Sequence, residues 1–156
     1  MSKYKLIGSK QILEIHDSVK DFFFENRQKE KDPEIGGLLF ASITTEKVSI
    51  LLATPPHKND LCKNFIFIPN RINHNKLIKH YFKQGLHFVG EWHTHPQREP
   101  SPSNIDILSM KDSFSKSKHE LNSLVMIIVG NAEDSLRLWV GTHNNIKFQR
   151  LKGIKQ

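Results

Sequence analysis

Residues 90–106 read GEWHTHPQREPSPSNID, in which two histidines lie two residues apart and a serine and an aspartate follow. Side chains at i and i+2 of a β-strand project from one face, so His93 and His95 would present two imidazoles side by side. A catalytic zinc site keeps three protein ligands and one open position for water. Asp106 can supply the third ligand if the loop at 96–102 returns the following helix over the strand end. The spacing therefore predicts a metal site.

A second interpretation explains part of this segment without a metal. Ser103 and Asp106 also match a helix capping box, with serine at the N-cap and an acid at the third helical position. That box does not explain two histidines on one strand face, so the residues alone leave both interpretations open. Trp92 and Thr94 fall on the opposite face and are expected to pack in the core. The other histidines show no ligand spacing and are interpreted as surface or ordinary core residues: His16, His57, His74, His80, His87, His119 and His143.

The hydrophobic pattern predicts the elements that must position these residues. The segment 56–64 reads as a polar loop, and Asp17 or Ser18 is the expected N-cap of the first helix. Together the elements predict one α/β or α+β domain over residues 1–156, with its core at about 10–150, in which a mixed, mostly antiparallel sheet is flanked by about three helices. The predicted helices lie at about 17–26, 70–84 and 104–115, and the predicted strands at 11–15, 35–43, 47–56, 64–69, 86–95, 123–130, 135–141 and 145–151.

The composition limits the class of protein. A chain of 156 residues with 37% hydrophobic and 25% charged residues is expected to fold as a globular protein. It has no apolar run of the roughly 18 residues that a membrane span needs and no recognisable signal peptide. The single cysteine, Cys62, excludes an intramolecular disulfide and fits a reducing compartment, so the expected location is cytoplasmic. The net charge of +7 is spread along the chain without an aromatic–basic motif, so nucleic acid is not the expected main partner.

The chemically interesting residues together resemble a known family. His-Thr-His at 93–95, seven further residues, Ser103, two residues and Asp106 match the H-[S/T]-H-x7-S-x-x-D motif of the JAMM (JAB/MPN) zinc metalloproteases. That family also has a glutamate far upstream, before a strand that often carries Gly-Gly, and Glu34 in PEIGGLLFA matches it. The predicted order of elements over residues 10–150 is similar too. Loops without long insertions resemble the short bacterial branch, whose members accompany ubiquitin-like proteins and their activating enzymes.

The resemblance implies a set of roles for these residues. One zinc ion per chain would be held by His93, His95 and Asp106. Glu34 would be the general base, and burial beside the apolar strand is expected to raise its pKa. Ser103 would donate a hydrogen bond to the oxyanion of the reaction. Glu91 and Glu99 are two other acidic residues that compete for the role of general base. They are interpreted as supporting or solvent-facing side chains.

The activity implied by the resemblance is hydrolysis of the amide bond after the C-terminal tail of a ubiquitin-like protein, as deconjugation or maturation. The expected partners are that protein or its conjugate and a cognate activating or conjugating enzyme. Two alternatives stay open. One is a non-catalytic scaffold of the MPN fold, and the other is a JAMM hydrolase that acts on a sulfur-carrier protein or in a DNA-associated pathway.

Overall fold

The computed structural model describes residues 1–58, 60–63, 66–68, 70–116, 122–144 and 146–155. Within these ranges the chain forms ten strands and three helices. In chain order they are β1 (Ser2–Lys5), β2 (Ile12–Ile15), α1 (Asp17–Glu25), β3 (Gly36–Ile43), β4 (Lys47–Ala53), β5 (Leu61–Lys63), β6 (Ile66–Ile68), α2 (Arg71–Phe82), β7 (His87–Thr94), α3 (Asn104–Lys116), β8 (Leu124–Val129), β9 (Leu138–His143) and β10 (Phe148–Arg150).

Eight strands form one mixed sheet in the order β1-β2-β4-β3-β7-β8-β9-β10, and β5 pairs with β6 in a separate small sheet. The β2–β4 and β7–β8 pairs are parallel, and the other neighbouring pairs of the large sheet are antiparallel. Over the described residues, the mixed, mostly antiparallel sheet and its three helices confirm the predicted α+β class. Because β7 lies in the middle of the sheet, its side chains are buried on both faces.

Helices cover both faces of the sheet. On one face, Phe23 of α1 packs against Trp92 of β7, with ring centroids 5.4 Å apart. On the other face, Ile78 of α2 and Met110 of α3 are buried in two further apolar clusters. Burying a large apolar side chain stabilises the fold by about 1.5–3 kcal/mol, so these contacts hold the three helices against the sheet.

A β-bulge interrupts the alternation of β7 before its two histidines. The consecutive residues Leu39 and Phe40 of β3 pair with Gly90 and Phe88, so Val89 is an extra residue in β7. The extra residue shifts the alternation of side chains by one position. As a result, Phe88 and the histidines face the side that α2 and α3 cover, while Val89 joins the core under α1.

The predicted N-cap of α1 is wrong. His16 holds the cap position with an extended backbone, and its Nδ1 accepts a hydrogen bond from the backbone N–H of Ser18. The backbone N–H of His16 donates to the carbonyl of Ile50 at 3.1 Å, which keeps His16 in line with the sheet. Asp17 is already helical and forms an ion pair with the N-terminal ammonium group at 2.8 Å.

Two short strands were not predicted. β1 is polar, and besides its pairing with β2 it forms an isolated bridge from Tyr4 to Gly153, so no alternation of apolar residues marks it. The predicted loop at 56–64 is wrong for Leu61–Lys63, which form β5. Among the predicted surface or core histidines, His119 lies outside the described residues. None of the helices in the described ranges is long and apolar enough to cross a membrane.

Candidate metal centre and active site

The end of β7 brings His93 and His95 to one place on the α3 side of the sheet. Their Nε2 atoms lie 3.1 Å apart, and both side chains are buried. The backbone N–H of His95 donates to the carbonyl of Val129 at 3.0 Å, which holds this residue against the end of β8. Trp92 packs on the opposite face, so the predicted alternation is confirmed.

The start of α3 directs Asp106 towards both histidines. Its Oδ1 lies 3.2 Å from His93 Nε2, and its Oδ2 lies 3.0 Å from His95 Nε2. The same carboxylate forms the capping box: Ser103 N–H donates to Oδ2 at 2.8 Å, and Asp106 N–H donates to Ser103 Oγ at 3.1 Å. The two interpretations of the segment are therefore compatible, because the capping box orients the carboxylate that faces the imidazoles.

Glu34 lies beside the histidines because the segment that leads into β3 runs antiparallel to the end of β7. The backbone N–H of Thr94 donates to the carbonyl of Ile35 at 2.9 Å, which brings the preceding residue next to the site. Oε1 of Glu34 lies 3.7 Å from Nε2 of His95, and the glutamate is only 2% exposed. The structure thus brings a fourth predicted residue to the same place.

Gly36 allows β3 and β7 to approach closely at this point. A Cβ atom on Gly36 would lie 2.2 Å from the backbone oxygen of Trp92 and 2.7 Å from a ring carbon of Phe67 in β6. Any side chain at this position would push β3 away from β7 or displace the aromatic ring. Since Glu34 is only two residues away, this close approach sets the position of its carboxylate.

The two acidic groups of the site have opposite protonation preferences. Burial raises the pKa of Glu34 to about 7, with His95 opposing this shift and Asp106 adding to it. Burial also acts to raise the pKa of Asp106, but hydrogen bonds from His93 and His95 outweigh it and hold that pKa well below its usual range. For His95, burial acts to lower the pKa, and the interactions with Asp106 and Glu34 raise it above the usual value. One carboxylate stays ionised while its neighbour can exchange a proton near neutral pH, a division typical of acid–base sites.

The two acidic residues that compete with Glu34 for the role of base, Glu91 and Glu99, form contacts with other side chains. Oε1 of Glu91 accepts hydrogen bonds from Ser113 Oγ at 2.7 Å and Arg71 Nη1 at 3.1 Å, so this buried residue ties α2 and α3 to β7. Glu91 is therefore a supporting residue and does not face solvent. Glu99 is exposed and forms an ion pair with Arg137 at 3.3 Å.

The donor atoms fit a metal ion. One ligand atom from each of His93, His95 and Asp106 lies within 4.8 Å of the other two. Two imidazole nitrogens and a carboxylate oxygen form a set that zinc accepts. Oε2 of Glu34 is buried and, within the described part of the chain, has no hydrogen-bond partner. Leaving such an atom unpaired costs about 1–3 kcal/mol or more, and a polar group held between Glu34 and the ligand set would satisfy it.

The sequence did not predict the supporting contacts of two residues, Thr94 and Gln97. Thr94, expected only to pack, accepts a hydrogen bond from Ile35 N–H on its Oγ1 at 3.1 Å and so ties the glutamate-bearing segment to β7. A hydroxyl between two histidines of a strand is the one signal that could have indicated it. Gln97 contacts Nδ1 of His95 through its Oε1 at 3.2 Å. No spacing rule points to an exposed glutamine in a loop.

Comparison with known proteins agrees with this geometry. Residues 16–141, most of the chain, match the family model described as prokaryotic homologs of the JAB domain. The chain belongs to this family. The resemblance noted from the motif is thereby confirmed. A protein from Desulfitobacterium hafniense, whose structure was solved in solution, is similar to this JAB domain in fold, with a TM-score of 0.66 over 88% of each chain at 16% identity.

Bacterial proteins named CD-NTase/cGAS isopeptidase are similar to this JAB domain in sequence. One from Pseudomonas aeruginosa is 29% identical over 136 residues, which are 85% of this chain and 86% of that protein. One from Enterobacter hormaechei is 32% identical over 99 residues, which are 62% of this chain. The chain spans about half the length of the Enterobacter relative, 55%, and most of the Pseudomonas relative.

Proposed function

We propose that this JAB domain is a zinc-dependent isopeptidase that hydrolyses the amide bond after the C-terminal tail of a ubiquitin-like protein. The observation that carries the proposal is the buried carboxyl group of Glu34, which lies 3.7 Å from His95 and whose pKa burial raises to about 7 in the metal-free protein. General acid–base catalysis is most efficient when the pKa of the catalytic group lies near the working pH.

His93, His95 and Asp106 would hold the zinc ion. Their donor atoms already converge, each within 4.8 Å of the other two. When bound, zinc would supply Lewis acidity, which polarises a carbonyl group and lowers the pKa of a water molecule from about 15.7 to about 7. Asp106 contributes the only negative charge of the three ligands, so the site keeps a net positive charge that favours a developing oxyanion.

Glu34 would move the proton of the reaction. Its carboxylate accepts a proton from the attacking water and then donates it to the amine that leaves. Because the carboxyl group is buried beside β3 and β7, the access of bulk water to the proton between the two steps is limited. Oε2, which has no hydrogen-bond partner in the described residues, is the oxygen available for this transfer.

Ser103 would donate a hydrogen bond to the oxyanion. Its Oγ accepts the backbone N–H of Asp106 at 3.1 Å, which holds the hydroxyl oxygen in place and leaves its proton free to be donated. A single donor of this kind contributes about 10²–10³-fold to the rate. The capping box and the oxyanion contact therefore use different atoms of the same hydroxyl group.

The relatives support a substrate class. Because they are named CD-NTase/cGAS isopeptidase, we take the acceptor of the amide bond to be a lysine of a CD-NTase. A cognate activating or conjugating enzyme would form the bond that this domain hydrolyses.

The test uses two matched substrates and the purified chain. In one, a ubiquitin-like protein is joined through its C-terminus to a lysine of a CD-NTase, and in the other it is joined to the N-terminus of the same protein. We expect cleavage of the lysine-linked substrate with a higher kcat/KM, loss of cleavage after chelation, and its return on adding zinc. Elemental analysis of the same samples should give about one zinc per chain.

The outcomes separate the alternatives. Bound metal without cleavage of either substrate would favour a non-catalytic scaffold. Cleavage of a sulfur-carrier fusion alone would favour that substrate. Undiminished cleavage by protein that has been stripped of metal would contradict the zinc assignment.

A further inference from the structure

A glutamine side chain connects a candidate ligand to the loop that follows it. Gln97 comes two residues after His95, and its Oε1 lies 3.2 Å from Nδ1 of that histidine. The same Oε1 lies 3.1 Å from the backbone N of Ser101, four residues further along the loop. One amide oxygen therefore faces two nitrogen atoms on two sides.

The contact with Ser101 decides which atoms donate. A backbone N–H can only donate, so the side-chain atom of Gln97 that it meets must be the oxygen and not the nitrogen of the amide. An amide oxygen can only accept, so Nδ1 of His95 must carry the proton in this contact. The two lone pairs of the oxygen account for both hydrogen bonds.

A proton on Nδ1 has a consequence at the other ring nitrogen. In a neutral imidazole with its proton on Nδ1, the lone pair lies on Nε2, and that lone pair is what binds a metal. Nε2 of His95 faces Asp106 Oδ2 at 3.0 Å and His93 Nε2 at 3.1 Å, and a metal bound there would replace the proton that Nε2 donates to Asp106. The glutamine thus fixes both the tautomer and the ring orientation that the ligand set needs.

The backbone around Gln97 is held firmly enough for this role. Its carbonyl accepts the N–H of Asn131 at 2.8 Å, and the N–H of His95 donates to Val129 at 3.0 Å, so both residues are anchored to the end of β8. Gly130 lies directly beneath the loop, because a Cβ atom there would lie 2.7 Å from the carbonyl oxygen of Arg98. The backbone of Gln97 is therefore held in a fixed position, although its side chain is exposed.

We propose that Gln97 is a positioning residue that sets the tautomer and orientation of His95 for metal binding and braces the loop leading to Ser103 and Asp106. This inference rests on the metal site of the proposed function and not on its substrate.

The experiment compares Gln97→Met, Gln97→Glu and Gln84→Met in the full chain. Methionine has a similar length but lacks a strong acceptor, whereas glutamate restores an acceptor for both N–H groups. Gln84 is an exposed glutamine whose side chain forms a hydrogen bond with His80, away from the candidate metal ligands, so its variant is the matched control. Zinc affinity is measured by competition with a chromogenic chelator, and solvent exchange of the His95 Nδ1 proton is measured by NMR on the zinc-loaded proteins.

We expect Gln97→Met to bind zinc about 10–100-fold more weakly, the usual effect of removing a partner of a ligating histidine. Its Nδ1 proton should exchange faster with solvent, while Gln97→Glu and Gln84→Met should resemble the parent in both measurements. Parent-like affinity and exchange in Gln97→Met would overturn the role of Gln97 and leave the proposed function intact. Parent protein that binds zinc as expected but cleaves neither substrate would overturn the proposed function alone. No zinc binding by the parent would overturn both.

Discussion

Replacing Glu34 with glutamine should stabilise the metal-free protein at neutral pH. Burial raises the pKa of Glu34 from 4.5 to about 7, so the folded state holds the ionised carboxylate less well than the unfolded chain does. Between these pH values the unfolded chain binds fewer protons than the folded one, and the free energy of unfolding therefore falls as pH rises. Glutamine has nearly the same shape and does not ionise, so the free energy of unfolding of the variant does not fall in this way as pH rises.

The size of the effect follows from the shift. At about 1.4 kcal/mol per pKa unit, a rise from 4.5 to about 7 corresponds to about 3–4 kcal/mol as an upper value. The loss should be absent below the unfolded pKa of 4.5 and complete above about 7. Since whole domains have free energies of unfolding of about 5–15 kcal/mol, a difference of this size is readily measured.

The assay is urea unfolding of the chelator-treated parent and variant proteins across this pH range. The difference between the two proteins reports Glu34 together with its interactions with His95 and Asp106, because the remaining titrating groups are common to both. Glu99→Gln is the control: this exposed residue contacts Arg137 at the surface, and its replacement should produce little pH-dependent difference. A difference between parent and Glu34→Gln that stays constant from acid to neutral pH would refute the reasoning.

The same variant tests the catalytic role. Glu34→Gln should keep its zinc and lower single-turnover hydrolysis by about 10²–10⁴-fold, the usual worth of general acid–base catalysis. Glu91→Gln, a buried carboxylate on the same strand face as the histidines, should cost much less. Hydrolysis at the parent rate would exclude Glu34 as the base, and loss of zinc would make it a ligand.

Four further substitutions test how the site is held. His95→Ala or Asp106→Ala should lose zinc on purification, because two protein ligands chelate too weakly, and elemental analysis that finds full occupancy would sink the ligand assignment. Thr94→Val should lower the free energy of unfolding by about 1–3 kcal/mol in urea titrations, since Ile35 N–H loses its acceptor, and should lower kcat more than zinc affinity. Gly130→Ala should weaken zinc binding in chelator competition by displacing the loop above it, and unchanged affinity would show that the loop tolerates the added methyl group.

The positions of the candidate ligands could be predicted because they depend on local geometry. The two-residue period of a strand was enough to place His93 and His95 on one face and Trp92 on the other. A capping box was enough to predict how α3 begins at Ser103. The chemical roles of these residues stay predictions until the variants are measured.

Other features depend on contacts that no local pattern encodes. The bulge at Val89 arises from the pairing of β7 with β3, and it decides that Phe88 shares a face with the histidines. The N-cap of α1 is His16 and not the predicted Asp17 or Ser18, because a hydrogen bond to the carbonyl of Ile50 in β4 holds His16 in an extended conformation. The edge strand β1 is too short and polar to produce a hydrophobic pattern. In each case a long-range backbone contact outweighs the local preference.

The capping box and the metal site are two parts of one arrangement. The hydrogen bond from Ser103 N–H to Oδ2 fixes the rotamer of Asp106 before any metal binds, and the same oxygen faces His95. On the other side of the site, Gln97 holds His95 through Nδ1 and braces the loop through Ser101 N–H. Both candidate ligands are therefore oriented by hydrogen bonds from within residues 95–106, and little side-chain entropy would remain to be lost on binding a metal. A proline-rich loop between them serves the same end, because it limits the backbone conformations that could move α3 away from β7.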